Sequence, residues 1–402
     1  MWWWRKASRR PAGATAGGPD GAGAAPPAAR GRLVVLDDFF PNLLTGFRIA
    51  EYNAYLGRWP DAEVLTSQPH FAACHAQYAA RYAEFAGRVR PFAVEALAGA
   101  TLAYLNFLNN AAQFLPALRS RGLPFVLTLY PGGGFGLDAA DSDEKLRQVL
   151  ASPLLRALVV TTPVVAEYLD AFAQREALEL PPVTEIAGVV VNPVYFGDAR
   201  HVHFGAGKEN ADVCFVAEKY MERGLNKGYP EFIAAAQAVA AADPTVKFHV
   251  VGSFTEHDVP LGPLAGRLRF YGTLPTGELR EFLLGMDAIA APSRPFTLHA
   301  GNFDGFPTGA CVEAAACGVA VLAADPLRQN RLFEDGREIV LIDNEPQSIA
   351  DALLALLREP ARLRGIALAG QAVVRRHYAP ERQIGRRIAL IEQQLAALEM
   401  PA

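Results

Sequence analysis

The chain has 402 residues, of which 51% are hydrophobic and 20% charged. Such a composition can bury a large core, which excludes a dominantly disordered chain, and at roughly 100–200 residues per domain it accommodates about two domains. The formal net charge, 38 − 42 = −4, argues against nucleic acid as a main partner.

No run approaches 18 apolar residues, and the start lacks an apolar segment followed by a cleavage site, so neither a membrane span nor secretion is expected. Cys74, Cys214, Cys311 and Cys317 are scattered, which fits reduced cytosolic thiols better than a disulfide framework or a zinc site. Residues 1–31 read as a disordered low-complexity tail. Between 11 and 29 every residue except Thr15 and Asp20 is Ala, Gly or Pro. Ahead of it, Trp2, Trp3, Trp4, Arg5 and Lys6 combine aromatics with cations and suggest peripheral contact with an anionic bilayer.

The ordered chain begins with the apolar run Leu33–Leu36, ending in Asp37-Asp38, which predicts a buried strand. A loop carrying Thr45-Gly46 follows, and helical spacing starts at Phe47. Phe125–Leu129 and Leu158–Thr162 read as further strands. Between them lies Tyr130-Pro131-Gly132-Gly133-Gly134-Phe135, whose glycines suggest a mobile loop. Asp141-Ser142-Asp143 reads as the cap of a helix from Glu144 to Leu150. A second series runs through strands at Val213–Val216, Phe248–Val251, Leu268–Tyr271, Ala288–Ala291 and Val319–Leu322. Helices are expected at Pro230–Ala242, Ser348–Leu357 and Glu381–Leu395. Strands alternating with helices predict parallel α/β architecture. The expected division is residues 32–205 and 206–378 as two doubly wound units, with 379–402 as a closing helix. Ligands bind beyond the C-terminal strand ends of such sheets, so two facing units imply a cleft.

The most informative stretch is Asp304-Gly305-Phe306-Pro307-Thr308-Gly309-Ala310-Cys311-Val312-Glu313. Thr308 is a good N-cap and Gly318 a good stop, which specifies a helix over 309–317. Its small first residues, Gly309 and Ala310, leave backbone N–H groups open to a phosphate, and the helix dipole favours negative charge there. Glu313 stands among Ala, Cys and Val in a helix expected to be buried. It needs either a fixed donor or a ligand's hydroxyls.

This segment resembles the acidic pair of retaining GT-B glycosyltransferases of the family 4 type, also called glycosyl transferases group 1. The resemblance extends through Ala291-Pro292-Ser293, Cys317-Gly318-Val319-Ala320-Val321, Phe333-Glu334-Asp335-Gly336 and His377–Arg382, and covers roughly residues 212–395. It implies two Rossmann-like doubly wound domains facing a central cleft, with a C-terminal helix crossing back. It also implies transfer of a sugar from a nucleotide diphosphate sugar to a hydroxyl acceptor such as a glycan or lipid-linked glycan, with retention of configuration. Glu313 would hold the ribose, Thr308, Gly309 and Ala310 the diphosphate, and Asp304 would sit near the donor sugar. Lys219 and Lys227 would supply the cations that stabilise the leaving diphosphate, with no metal, and Gly46 would approach it from the N-terminal domain.

The two carboxylates are 313 − 304 = 9 residues apart, one more than the family pattern. Tyr130 stands where many members carry a histidine and is a candidate acceptor-site residue. His299 is a loop histidine beside the site. The implied setting is cytoplasmic, extending to the inner membrane face. The rival readings are a non-catalytic scaffold of the same fold and a sugar-nucleotide epimerase. A nicotinamide-dependent oxidoreductase is disfavoured because no G-x-G-x-x-G opens a helix after the first strand.

Overall fold

The computed structural model describes residues 31–198 and 201–399. The expected tail and the Trp2–Lys6 segment lie outside the described residues.

Two separate parallel sheets carry the fold. The first contains seven strands: β1 (Leu33–Asp37), β2 (Glu63–Thr66), β3 (Val89–Pro91), β4 (Leu102–Asn106), β5 (Phe125–Leu129), β6 (Leu155–Val160) and β7 (Val183–Glu185). Their order is β3-β2-β1-β4-β5-β6-β7. The second contains six: β8 (Asp212–Val216), β9 (Lys247–Val251), β10 (Leu268–Phe270), β11 (Ala288–Ala291), β12 (Ala320–Ala323) and β13 (Val340–Leu341), in the order β10-β9-β8-β11-β12-β13. The central strands are mostly apolar because helices cover both faces, with polar residues such as Asp37 and Asn106 buried at their C-terminal ends. Strand order reverses between β1 and β4 in one sheet and between β8 and β11 in the other. Those reversals open a crevice at the C-terminal strand ends.

The last helix, Pro380–Glu399, packs Leu390, Ile391 and Leu395 into the N-terminal core beside Tyr55, Trp59 and Leu33. Arg58 also pairs with Glu392 across this junction. Asp141-Ser142-Asp143 differs from its sequence reading. The helix there runs Ala140–Leu150, so both aspartates fall inside its first turn, and the Ser142 hydroxyl accepts from the Gly136 N–H at 2.9 Å. Among the described residues, no helix is long and apolar enough to cross a membrane. The four cysteines are free thiols.

Candidate functional site between two facing sheets

A cavity of about 370 Å³ lies between the two strand-order reversals. Its N-terminal wall comes from the segments following β1 (Leu44, Gly46, Phe47), β4 (Phe107), β5 (Tyr130, Pro131), β6 (Thr161, Thr162) and β7 (Gly188, Val189). Its C-terminal wall comes from the end of β8 (Phe215–Glu218), the end of β11 (Ala291), Lys227, Asp304 and the helix carrying Gly309, Ala310 and Glu313. Of the residues singled out from sequence, Gly46, Lys227, Asp304, Thr308, Gly309, Ala310 and Glu313 therefore meet in one cavity.

The helix runs Gly309–Ala316, with Thr308 at the N-cap and Gly318 in the left-handed conformation that ends it. The Thr308 hydroxyl makes no capping bond, so the first N–H groups of the helix keep their donors for the cavity. One turn on, Glu313 is half-buried, and burial pushes its carboxyl up to about 8, while the neighbouring Tyr195 hydroxyl acts in the opposite sense. A carboxyl in that condition gains most from a ligand hydroxyl that can donate to it.

Lys227 ends the 3₁₀ segment Glu222–Lys227. Gly228 follows at φ +70°, and a Cβ there would meet the Pro292 carbonyl oxygen at 2.0 Å, so only glycine lets the chain turn so close to the strand end. Lys227 Nζ lies 5.3 Å from the Tyr220 ring centroid, and it donates to both carboxylate oxygens of Asp304. Lys219 behaves differently from its sequence reading. It does not line the cavity, because its ammonium donates to Asp258 at 3.0 and 3.2 Å. Burial alone would raise the Asp258 carboxyl, but the Thr255 N–H and Lys219 hold it below its usual range. His299 is exposed and lies off the cavity, with its ring nitrogen against the Ala300 carbonyl.

Gly46 lies where the two halves meet at the cavity, and a Cβ there would lie 2.8 Å from the Thr276 hydroxyl. The Gly132–Gly134 loop packs tightly, contrary to the mobile segment expected from its composition. A Cβ on Gly133 would fall 2.2 Å from Phe107 Cδ1, and one on Gly134 would fall 2.0 Å from Asn109 Oδ1. Phe107 itself has φ +72°, a conformation costing a bulky residue on the order of 1–3 kcal/mol.

Sequence reasoning missed the polar cluster beneath this wall. Glu51, fully buried on the helix Gly46–Arg58, accepts from Tyr55 at 2.8 Å, from Asn106 at 3.0 Å and from Tyr104. Arg387, fully buried on the last helix, lies 3.4 Å from Glu51 and donates to the Tyr130 hydroxyl at 3.2 Å and to Gln383 at 2.8 Å. Gln383 in turn donates to the Ala187 carbonyl at 2.6 Å, next to the cavity-lining Gly188. The Arg-Arg pair 386–387 in the sequence gave no sign of which arginine turns inward.

Residues 231–388 match the family model described as Glycosyl transferase-like. A GDP-mannose-dependent monoacylated alpha-(1-6)-phosphatidylinositol monomannoside mannosyltransferase from Corynebacterium glutamicum is 28% identical over 172 residues, covering 42% of this chain and 44% of that enzyme. Among solved structures, Anabaena Alr3699/HepE in complex with UDP superposes with a TM-score of 0.64 at 17% identity, covering 91% of this chain and 98% of that one. Sucrose-phosphate synthase from Thermosynechococcus elongatus gives 0.61 at 14% identity, covering 91% and 100%. The fold is GT-B, and residues 231–388 of its C-terminal half are similar to the glycosyl transferase-like family.

Proposed function

We propose that this protein transfers a sugar from a nucleotide diphosphate sugar to a hydroxyl acceptor, with retention of configuration. The observation that carries the reading is that Glu313, the open N-terminus at Gly309 and the Lys227 ammonium converge on one cavity at the C-terminal ends of β8 and β11. Glu313 accepts hydrogen bonds from the ribose. The N–H groups at Gly309 and Ala310 receive the diphosphate. Lys227 exchanges Asp304 for a phosphate oxygen and stabilises the charge that develops as the nucleoside diphosphate departs. Asp304, released from Lys227, faces the donor sugar. Lys219 joins the diphosphate only by leaving Asp258. The acceptor approaches from the N-terminal wall, and both halves closing over the cavity exclude water as a competing acceptor.

The Corynebacterium relative is named for a lipid-linked mannoside acceptor. That likeness supports a glycan or lipid-linked glycan as the acceptor class here and fits activity at a membrane face. The helix dipole and Lys227 supply the positive charge, so transfer runs without a metal.

Calorimetric titration with UDP, GDP and ADP, each with EDTA and again with Mg²⁺, tests the reading. One diphosphate should bind equally well in both buffers and lose most of its affinity in Glu313→Ala. Failure of all three to bind would remove the donor site and the proposed reaction with it.

A further inference from the structure

We infer that Phe47 and Phe107, backed by Tyr130, form an acceptor subsite that takes the flat face of a pyranose ring. The inference rests on the donor site proposed above and assigns what that proposal leaves open on the opposite wall.

The three rings form one cluster, with Phe47 packed edge to face against both Phe107 and Tyr130. The Phe107 centroid lies 5.1 Å from that of Tyr130 and 6.0 Å from that of Phe47, and Phe47 lies 5.8 Å from Tyr130. Phe47 and Phe107 are half-buried at the cavity while Tyr130 closes the cluster beneath them. The fold holds this cluster at a cost. Phe107 keeps an unfavourable backbone angle, and Gly133 leaves out the Cβ that would displace its ring. The Arg48 guanidinium packs over two of the rings, 4.9 Å from the Phe107 centroid and 5.7 Å from that of Phe47, fixed by Asp37 at 3.1 Å and Asp38 at 3.2 Å.

The chemistry of the wall selects its occupant. The Tyr130 hydroxyl is turned inward to Arg387, so Tyr130 contributes carbon to the cavity. Beside the rings stand Thr161 and Thr162. Thr162 Oγ1 accepts from the Val165 N–H at 3.3 Å, which leaves its own proton free to donate. A pyranose matches both parts. Its axial C–H bonds carry partial positive charge toward the negative ring faces, and its equatorial hydroxyls reach the threonines. The Thr161 hydroxyl already donates to the Leu129 carbonyl at 3.5 Å, so an acyl chain covering the rings would leave the Thr162 proton without an acceptor.

Saturation-transfer NMR tests the subsite, using methyl α-D-mannopyranoside, methyl α-D-glucopyranoside and octyl β-D-glucopyranoside, each with and without the nucleoside diphosphate that binds. The expected result is transfer to pyranoside ring C–H protons. Phe107→Leu and Phe47→Leu should each weaken pyranoside affinity by about threefold to tenfold, with nucleotide affinity changed by less than about twofold. The two variants separate loss of one ring from local misfolding, which would also cost nucleotide binding. Transfer to no pyranoside, transfer only to the octyl chain, or pyranoside affinity equal to wild type in both variants would overturn the subsite. Absence of nucleotide binding with ring transfer intact would leave the subsite standing and overturn the donor site instead.

Discussion

Lys227 Nζ sits 2.6 and 2.8 Å from the two carboxylate oxygens of Asp304, so the cation best placed for a diphosphate already holds an anion. The carboxylate is 30% exposed and the ammonium 12%, which makes the pair a resident that a stronger anion can displace. A ligand phosphate must compete with Asp304. Asp304→Asn should therefore tighten binding of the free nucleoside diphosphate by about twofold to fivefold, the range set by a partly exposed ion pair. Calorimetry reads the change directly, and weaker binding in the variant would make Asp304 a nucleotide ligand in its own right.

Lys227→Ala removes a charge-assisted hydrogen bond that a diphosphate can use more fully than a monophosphate. Affinity for the diphosphate should fall by roughly tenfold to a hundredfold, and that for the monophosphate of the same nucleoside by much less. Equal losses would place Lys227 away from the second phosphate.

Glu313 sets a pH dependence of nucleotide binding. Its carboxyl is pushed up to about 8 by burial, so at pH 7 the ligand-free protein holds it mostly protonated. Ribose hydroxyls donating to the carboxylate lower that value, so binding at pH 7 should release up to about one proton. The observed enthalpy should then vary with the ionisation enthalpy of the buffer, and affinity should rise from pH 6 to pH 9. Glu313→Gln should abolish both effects.

The same group acts on stability in a definite direction. A carboxyl raised in the folded state contributes fully below its unfolded value of about 4.5, and that contribution is lost as the pH rises through about 8. Glu313→Gln should accordingly raise the melting temperature of the ligand-free protein above pH 8. Near pH 4 the two proteins should melt together. Scanning calorimetry across that window decides it, and a variant less stable than wild type at pH 9 would reverse the argument.

Arg387 and Glu51 are both fully buried. Arg387→Met leaves Glu51 charged without its cation and should destabilise by about 3–5 kcal/mol, whereas Arg387→Met with Glu51→Gln should recover a large part of that loss. Denaturant unfolding of the two singles and the double supplies the cycle. Additive losses would mean the two side chains act independently.

The C-terminal half was legible in the sequence because its parts are contiguous. Thr308, Gly309, Glu313 and Gly318 specify one helix, its open N-terminus and its half-buried carboxyl within eleven residues. Periodicity alone located most of the strands, including β5 and β11 to the residue. The edge strands β3 and β7 escaped because each is only three residues with few apolar positions, and the central strand β4 was also missed.

What the sequence by itself determined was local: apolar runs that must be strands, a glycine-led helix suited to phosphate, and a carboxylate placed where burial is costly. What only the tertiary structure decided was which distant groups meet. Lys219 turns to Asp258, Lys227 turns to Asp304, and Arg387 crosses 257 positions to reach Tyr130. The spacing of charges along a chain says nothing about partners joined through packing. Desolvation forces each buried charge to find its counter-charge wherever the fold brings one within reach. The aromatic wall of Phe47, Phe107 and Tyr130 belongs to the same class, since the helix Gly46–Arg58 and the ends of β4 and β5 converge on it only once the sheet has formed.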